Sequence, residues 1–293
     1  MEASERAGII AAVVSSALGG TAAALTRYTI GASDPVTLAA FRFGIAFVLI
    51  LPLALALRSR WPRGRDWLGV AALGVMFFAL FFLIYNISMS LTTAARGSLA
   101  LSTLPLVTML VAALLGREKI TIRKSAGVLI AMAGVAAALA TGLADAPGGA
   151  WRGDLVMIGG TLIMAFYSIW ASPLMARSSR LGFLAAGMGF GAAVSTALAW
   201  QSGGLARALD YASAQWAAVV ALGVFGGAAA FYLWVYALER TTPTRVTNTM
   251  TVNPVTASLL ASVLVNEPLG LNLLAGVIAV GTGIWIASTP GRA

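Results

Sequence analysis

The chain contains no cysteine and no histidine. The first absence excludes disulfides, thiolate metal sites and cysteine nucleophiles. The second removes the commonest metal ligand and the usual proton shuttle. Charge is also scarce: Asp, Glu, Lys and Arg make up 10% of the 293 residues, against about 25% in an ordinary soluble domain. No Walker sequence is present to hold ATP phosphates, because the glycines are scattered through apolar runs. There is no paired membrane Asp, no Ser/His dyad and no cluster of metal ligands, so an intramembrane enzyme would lack its reactive groups, and no cofactor is expected. What is abundant is apolar: 59% of the residues are hydrophobic and the mean hydropathy is +0.90. Such a chain cannot cover a water-facing surface, and lipid is its solvent. A net charge of +9 would suit nucleic acid only if the basic residues clustered on a soluble face; they do not, so no nucleic-acid partner is expected.

A membrane helix needs roughly 20 mostly apolar residues. That ruler finds ten segments: 7–26, 35–57, 67–90, 94–115, 122–142, 153–175, 181–200, 214–238, 244–265 and 270–289. Only short loops and two stubs remain, which leaves no room for a soluble domain. The first segment carries Ser15, Ser16 and Thr21 and lacks a typical cleavage site, so it reads as a retained helix and not a signal peptide.

Orientation follows the basic residues of the loops. With the N-terminus inside, the cytoplasmic side receives Arg6, Arg58, Arg60, Arg63, Arg65, Arg117, Lys119, Arg123, Lys124, Arg177, Arg180, Arg240, Arg245 and Arg292; the outer side receives only Arg27, Arg96, Arg152 and Arg207. Both termini are therefore expected in the cytoplasm, with anionic lipid as an incidental partner of the basic loops. Trp61, Trp67, Trp151, Trp200 and Trp216 fall in loops or at span ends, where indole rings anchor at the headgroups.

Sliding the chain on itself by 149 residues aligns 67–134 with 216–283 without a gap, at roughly 20 identities over 68 positions. Trp67 meets Trp216, Arg96 meets Arg245, Pro105 meets Pro254, Glu118 meets Glu267 and Gly134 meets Gly283. The first two helices of each half align at an offset nearer 145. Two repeats, 1–146 and 147–293, follow. Each has five spans, an odd number, so the second enters the membrane upside down. Inverted repeats let two mirrored halves exchange inward and outward states around one central site, the arrangement of alternating-access transporters. Some inverted-repeat proteins are channels, and that alternative stays open.

The paired stretches Pro105…Gly116-Arg117-Glu118-Lys119-Ile120…Gly127…Gly134 and Pro254…Asn266-Glu267-Pro268-Leu269…Gly276…Gly283 resemble the EamA-type branch of the drug/metabolite transporter superfamily. Within it the chain looks most like bacterial amino-acid exporters, including those for aromatic amino acids. The resemblance implies an all-α inner-membrane protein of ten helices around a central cavity. The first four helices of each half would surround that cavity, with the fifth and tenth outside. It also implies a small-molecule substrate, and a single chain is taken as the working unit; a multidrug exporter of the same fold is the alternative.

Polar groups within a span turn toward the bundle interior. On the ninth span Thr247, Thr251, Pro254 and Ser258 share one helical face, with Asn248 and Asn253 nearby; the repeat equivalents on the fourth are Ser98, Ser102, Pro105 and Met109. These stripes read either as the lining of a midplane site or as interhelical hydrogen-bonding glue. Pro105 and Pro254 each remove a backbone hydrogen bond and are expected to bend their helices, for function or for packing. Phe78, Phe82, Tyr85, Tyr167, Trp170, Phe231 and Trp234 would stack on an apolar substrate or anchor at the interface. Arg42 is the one charge well inside a span, placed either to meet a carboxylate bidentately, or to snorkel outward or hold nearby backbone carbonyls. Glu118 and Glu267 precede helix starts, where capping or dipole pairing accounts for them. With every acidic residue read at a tail, loop or span end, proton coupling is disfavoured, and Glu239 is the weak candidate for it.

Overall fold

The computed structural model describes residues 3–116, 122–141, 146–241, 246 and 249–288. Among these residues the chain is helical, with no strand. In chain order the principal helices are α1 (Ala3–Thr29), α2 (Pro35–Ala56), α3 (Asp66–Leu91), α4 (Ala94–Leu114), α5 (Ile122–Thr141), α6 (Ala150–Arg177), α7 (Arg180–Gln201), α8 (Ser213–Leu238), α9 (Thr249–Leu264) and α10 (Leu271–Ser288). Seven of them, α1–α4 and α6–α8, are long and apolar enough to cross a membrane; α5, α9 and α10 contain shorter apolar stretches.

Local chemistry starts these helices where it should. Asp34 accepts from the N–H groups of Val36 and Thr37 at 3.1 and 3.0 Å, with Pro35 in the first turn where its missing N–H costs nothing. Ser179 caps α7 through Gly182 N–H at 3.0 Å. Gly149, at φ 80°, makes the left-handed step into α6 that a side chain would disfavour.

Three internal irregularities depart from the regular spans expected. Val75–Phe81 of α3 and Leu222–Ala229 of α8 are π-helical, wound with an extra residue per turn. These stretches overlap under the same 149-residue shift that aligns the halves. The third is in α4, which stops at Leu101 and restarts at Leu104, with Pro105 in the first turn of the new segment. Similarly, in α9 a 3₁₀ turn (Thr249–Thr251) precedes Val252–Leu264, placing Pro254 in that segment's first turn. Instead of kinking a continuous helix, each proline sits where the helix begins, because the first turn has no use for its N–H.

Large apolar side chains face outward, while several polar and charged ones lie inside among an apolar core. Val48, Leu68, Leu114, Leu129, Leu155, Val263, Ile278 and Trp285 are exposed, while Ser15, Ser16, Thr26, Arg42, Asn86, Arg96, Asp154 and Asn253 are buried. That is the arrangement hydrocarbon solvent demands. The helices pack as α1 on α9 and α8, α6 on α4 and α3, α2 on α8, α7 on α3, α2 on α7, and α5 on α10. Small residues set several of these contacts. A Cβ on Gly74 would lie 2.3 Å from the Gly187 carbonyl oxygen, and one on Gly191 2.3 Å from the Phe78 Cβ, so α3 and α7 meet backbone to backbone. Gly74→Leu is expected to separate them and to cost about 2–3 kcal/mol of stability. A thermal unfolding series in detergent checks this against Gly159→Ala, where nothing lies within 4 Å and the midpoint should not fall.

Candidate functional site

A cavity of about 1030 Å³ lies between the helices. Its wall is aromatic and soft: Phe77, Phe81, Phe82 and Tyr85 from α3, Met164 and Tyr167 from α6, Phe183 from α7, and Phe231 and Trp234 from α8. Polar groups are few and come from different helices: Ser15 and Ser16 on α1, Arg42 on α2, Thr108 on α4, Ser168 and Ser172 on α6, and Asn253 on α9. The lining runs out to the exposed Arg60 and Glu239 beside Ser178, Ser179 and Arg180, so the cavity opens at that end of the bundle.

The opposite end is closed by polar cross-links. Glu267 lies just beyond Asn266, whose φ of 53° turns the chain at the end of α9. Its carboxylate oxygens accept from the Ala94 N–H at 3.1 and 3.0 Å, and Arg27 Nε is 3.5 Å away. An anion at a helix N-terminus is stabilised by the unpaired N–H groups there. Burial pushes the Glu267 carboxyl above its ordinary range, against the pull of Ala94 N–H and Arg27. Close by, Asp154 receives hydrogen bonds from Arg96 Nη2 and, at 2.7 Å, from Thr92 Oγ1, joining α6 to the start of α4 in a buried ion pair. On the same side Arg207 Nη2 reaches Asp34 at 3.3 Å. Burial raises the Asp34 carboxyl, but the hydrogen bonds from Thr37 and Val36 and the charge of Arg207 outweigh it and hold it below its ordinary range.

Of the residues singled out in the sequence, Arg42, Phe82, Tyr85, Tyr167, Phe231, Trp234 and Asn253 lie on this one cavity. Others stand elsewhere. Phe78, one turn from Phe82, is fully buried against Gly191 of α7. Ser98 and Ser102 bond within α4, the Ser102 hydroxyl donating to the Ser98 carbonyl at 2.9 Å. Trp170 is stacked on Phe166 at 5.0 Å and is 40% exposed. Thr251 faces Gly281 of α10, and Pro254 is buried in the first turn of its segment. Thr247, Asn248 and Glu118 lie outside the described residues, as does the side chain of Pro105.

Arg96 and Asp154, both near helix ends as their sequence positions indicate, form the buried pair just described, a pairing that the sequence reading did not contain. Glu267 caps α4, not the helix that follows it. The sequence also offered a signal that the polar stripes on the fourth and ninth spans obscured: Ser15-Ser16 on α1 and Ser168…Ser172 on α6, four residues apart and hence on one face.

Arg42 does not snorkel. It is 4% exposed, its Nη2 donates to the Gly226 carbonyl at 2.8 Å, and its guanidinium carbon sits 4.5 Å from the Phe82 ring centre. Gly226 belongs to the π-helical stretch of α8, where the widened turn rearranges the i→i+4 ladder.

With this geometry in view, the comparisons with known proteins are decisive. The model of the EamA-like transporter family matches residues 6–140 and 151–289. The chain belongs to the EamA-like transporter family. Its EamA relatives include an uncharacterised transporter of Archaeoglobus fulgidus, 26% identical over 91% of this chain and 93% of the relative. A probable terminal-alkyne amino-acid exporter of Streptantibioticus cattleyicolor is 28% identical over 86% of each. The uncharacterised transporter YcxC of Bacillus subtilis is 23% identical over 94% of this chain and 90% of its own. A solved crystal structure shares the fold, with a TM-score of 0.66 over 96% of both chains at 23% identity. An EamA-like transporter with several apolar helices is a multi-pass membrane protein.

The closed end of this transporter yields a stability test. Removing one member of a buried ion pair strands the other charge, at a cost of about 3–5 kcal/mol. Asp154→Ala should therefore lower the thermal midpoint sharply, and adding Arg96→Met to it should restore much of the loss. Equal damage from the single and double variants would show that the pair contributes nothing beyond its separate side chains.

Proposed function

We propose that this protein is a ten-helix carrier that moves amino acids or similar small metabolites outward across a bacterial inner membrane by facilitated alternating access. The observation that carries the reading is a large central cavity open at one end and cross-linked shut at the other through Glu267–Ala94 and Arg96–Asp154. One of two such states is what a carrier presents at rest.

Several features support the two-repeat architecture behind it. Exchanging the halves carries the helix pairs onto one another: α1 on α9 becomes α6 on α4, α2 on α8 becomes α7 on α3, and α5 on α10 and α2 on α7 are unchanged. The π-helical stretches of α3 and α8 overlap under the same exchange, and the family model matches two segments, 6–140 and 151–289. The distribution of Arg and Lys supports a cytoplasmic open end, with Arg60 and Arg180, and cytoplasmic termini. The aromatic wall and the amino-acid exporter among the relatives support an amino acid as substrate. Among the described residues the cavity lining carries one carboxylate, Glu239 at its mouth, which supports a carrier without proton coupling.

Reconstituted into proteoliposomes and given a panel of amino acids, the protein should show saturable flux accelerated by substrate on the far side. Flux that neither saturates nor responds to counter-substrate would identify a channel, and flux that follows an imposed pH gradient would overturn the uncoupled assignment. Because the chain has no native cysteine, a single Ser168→Cys reports accessibility directly. A membrane-impermeant maleimide should label it from the cytoplasmic side, and adding Glu267→Gln should raise labelling from the outer side.

A further inference from the structure

Two buried polar residues on the cavity wall keep atoms without a hydrogen bond among the described residues. Arg42 donates through Nη2 to the Gly226 carbonyl and its guanidinium lies against Phe82 and interacts with Tyr85, while its Nε and Nη1 make no hydrogen bond there. Asn253, 7% exposed, has an unpartnered Oδ1. Both residues line the cavity. They are also near each other, by way of α1: the Asn253 Oδ1 lies 2.6 Å from where a Cβ on Gly19 would stand, and the corresponding position on Gly226 is 2.6 Å from the Ala22 Cβ. Gly19 and Ala22 are three residues apart on one helical face, so the donors of Arg42 and the acceptor of Asn253 sit on neighbouring turns.

Neither group is needed to build the fold. At the offset of 145 that aligns the second and seventh helices, Arg42 corresponds to Gly187 and Ala46 to Gly191. Those pairs occupy matching contacts, Ala46 against Gly227 and Gly191 against Phe78, whose own equivalence follows from the 149-residue shift. The half that carries glycine in place of Arg42 packs without a guanidinium. Asn253 corresponds to Leu104. The polar pair is thus an asymmetric addition to a symmetric scaffold.

Resting on the transport reading above, the geometry points to a head-group subsite for an α-substituted organic carboxylate with an apolar side chain. Arg42 Nε and Nη1 receive the carboxylate, for which a guanidinium is the matching fork. Asn253 Oδ1 accepts a hydrogen bond from an ammonium or hydroxyl on the adjacent carbon. The side chain lies against Phe82, Phe231 and Trp234. Around the anchor the lining is cationic: Arg42, Arg60 and Arg180 against Glu239 alone, which is itself 3.5 Å from Arg240. A substrate whose only charge is positive is excluded, because it would face Arg42 with no carboxylate beside it.

Three probes of nearly equal shape separate the contributions: phenylalanine, 3-phenylpropanoate and 2-phenylethylamine. Equilibrium dialysis of each labelled probe against the purified full chain should rank them in that order. Losing one neutral acceptor's partner costs up to about tenfold between the first two, and the amine should not bind measurably. Arg42→Gln should abolish binding of both acids, with Arg42→Lys recovering part of it. Asn253→Leu, the residue of the other half, should remove the preference for phenylalanine over 3-phenylpropanoate while leaving the acid itself bound. The wild-type ranking needs no variant to fold, and unfolding midpoints of the variants identify any that fail. Binding of the amine as tightly as the acids, binding by none of the three, or unchanged affinity in folded Arg42→Gln overturns the subsite. Saturable countertransport of any amino acid alongside those results would leave the carrier reading standing; its absence from the whole panel would remove that reading instead.

Discussion

A polar side chain inside a bundle wrapped by hydrocarbon has two destinations: a partner on another helix, or a watered space within the bundle. Most of this structure follows from that limit. The Ser15 hydroxyl donates to the Ala230 carbonyl, Ser88 to that of Gly153, and Asn86 to that of Pro35. Asp154 gathers Arg96 and Thr92 into one buried knot. Each of these bonds ties one helix to another, so satisfying polar groups and assembling the bundle are the same event. Some of the groups left over after that assembly, Arg42 and Asn253 among them, lie on the cavity.

What the sequence disclosed and what it hid divide along the same physical line. Hydropathy over 20 residues reports whether a segment belongs in lipid, and segments such as 35–57 and 181–200 coincide with α2 and α7 to within a residue. It does not report how a helix is turned about its own axis. Phe78 and Phe82 are separated by one turn and have the same composition signal, yet Phe78 is locked against Gly191 while Phe82 faces the cavity beneath Arg42. Only the neighbouring helix decides that. The Arg96–Asp154 pair spans 58 residues and joins two helix ends, and Glu267 reaches back 173 residues to cap α4; no local spacing encodes either. The π-helical stretches were equally invisible, since Val75–Phe81 and Leu222–Ala229 share no motif beyond apolarity.

Symmetry and chemistry are carried by different residues. The repeated positions, among them Pro105 with Pro254 and Phe82 with Phe231, shape helix starts and the cavity wall. Positions that break the repeat, Arg42 opposite Gly187 and Asn253 opposite Leu104, place hydrogen-bonding groups on that wall. On the two-repeat reading proposed above, sequence differences between the copies are expected where one ligand is met from two unequal sides. EamA relatives at 23–28% identity share the scaffold, and these unpaired positions are where relatives with different substrates are expected to diverge.

The glycine contacts between α3 and α7 bear on motion as well as on packing. Side chains that interdigitate act as teeth: sliding one helix past another requires each to leave its rotamer and climb over the next. Where Gly74 faces Gly187 and Gly191 faces Phe78, the facing surface has few teeth, and displacement along the helix axis meets little resistance while separation remains opposed by close contact. Such a surface is a plain bearing, stiff in one direction and slippery in the other. On the alternating-access reading proposed above, it is the mechanical property that would keep α3 and α7 in contact through a change of shape.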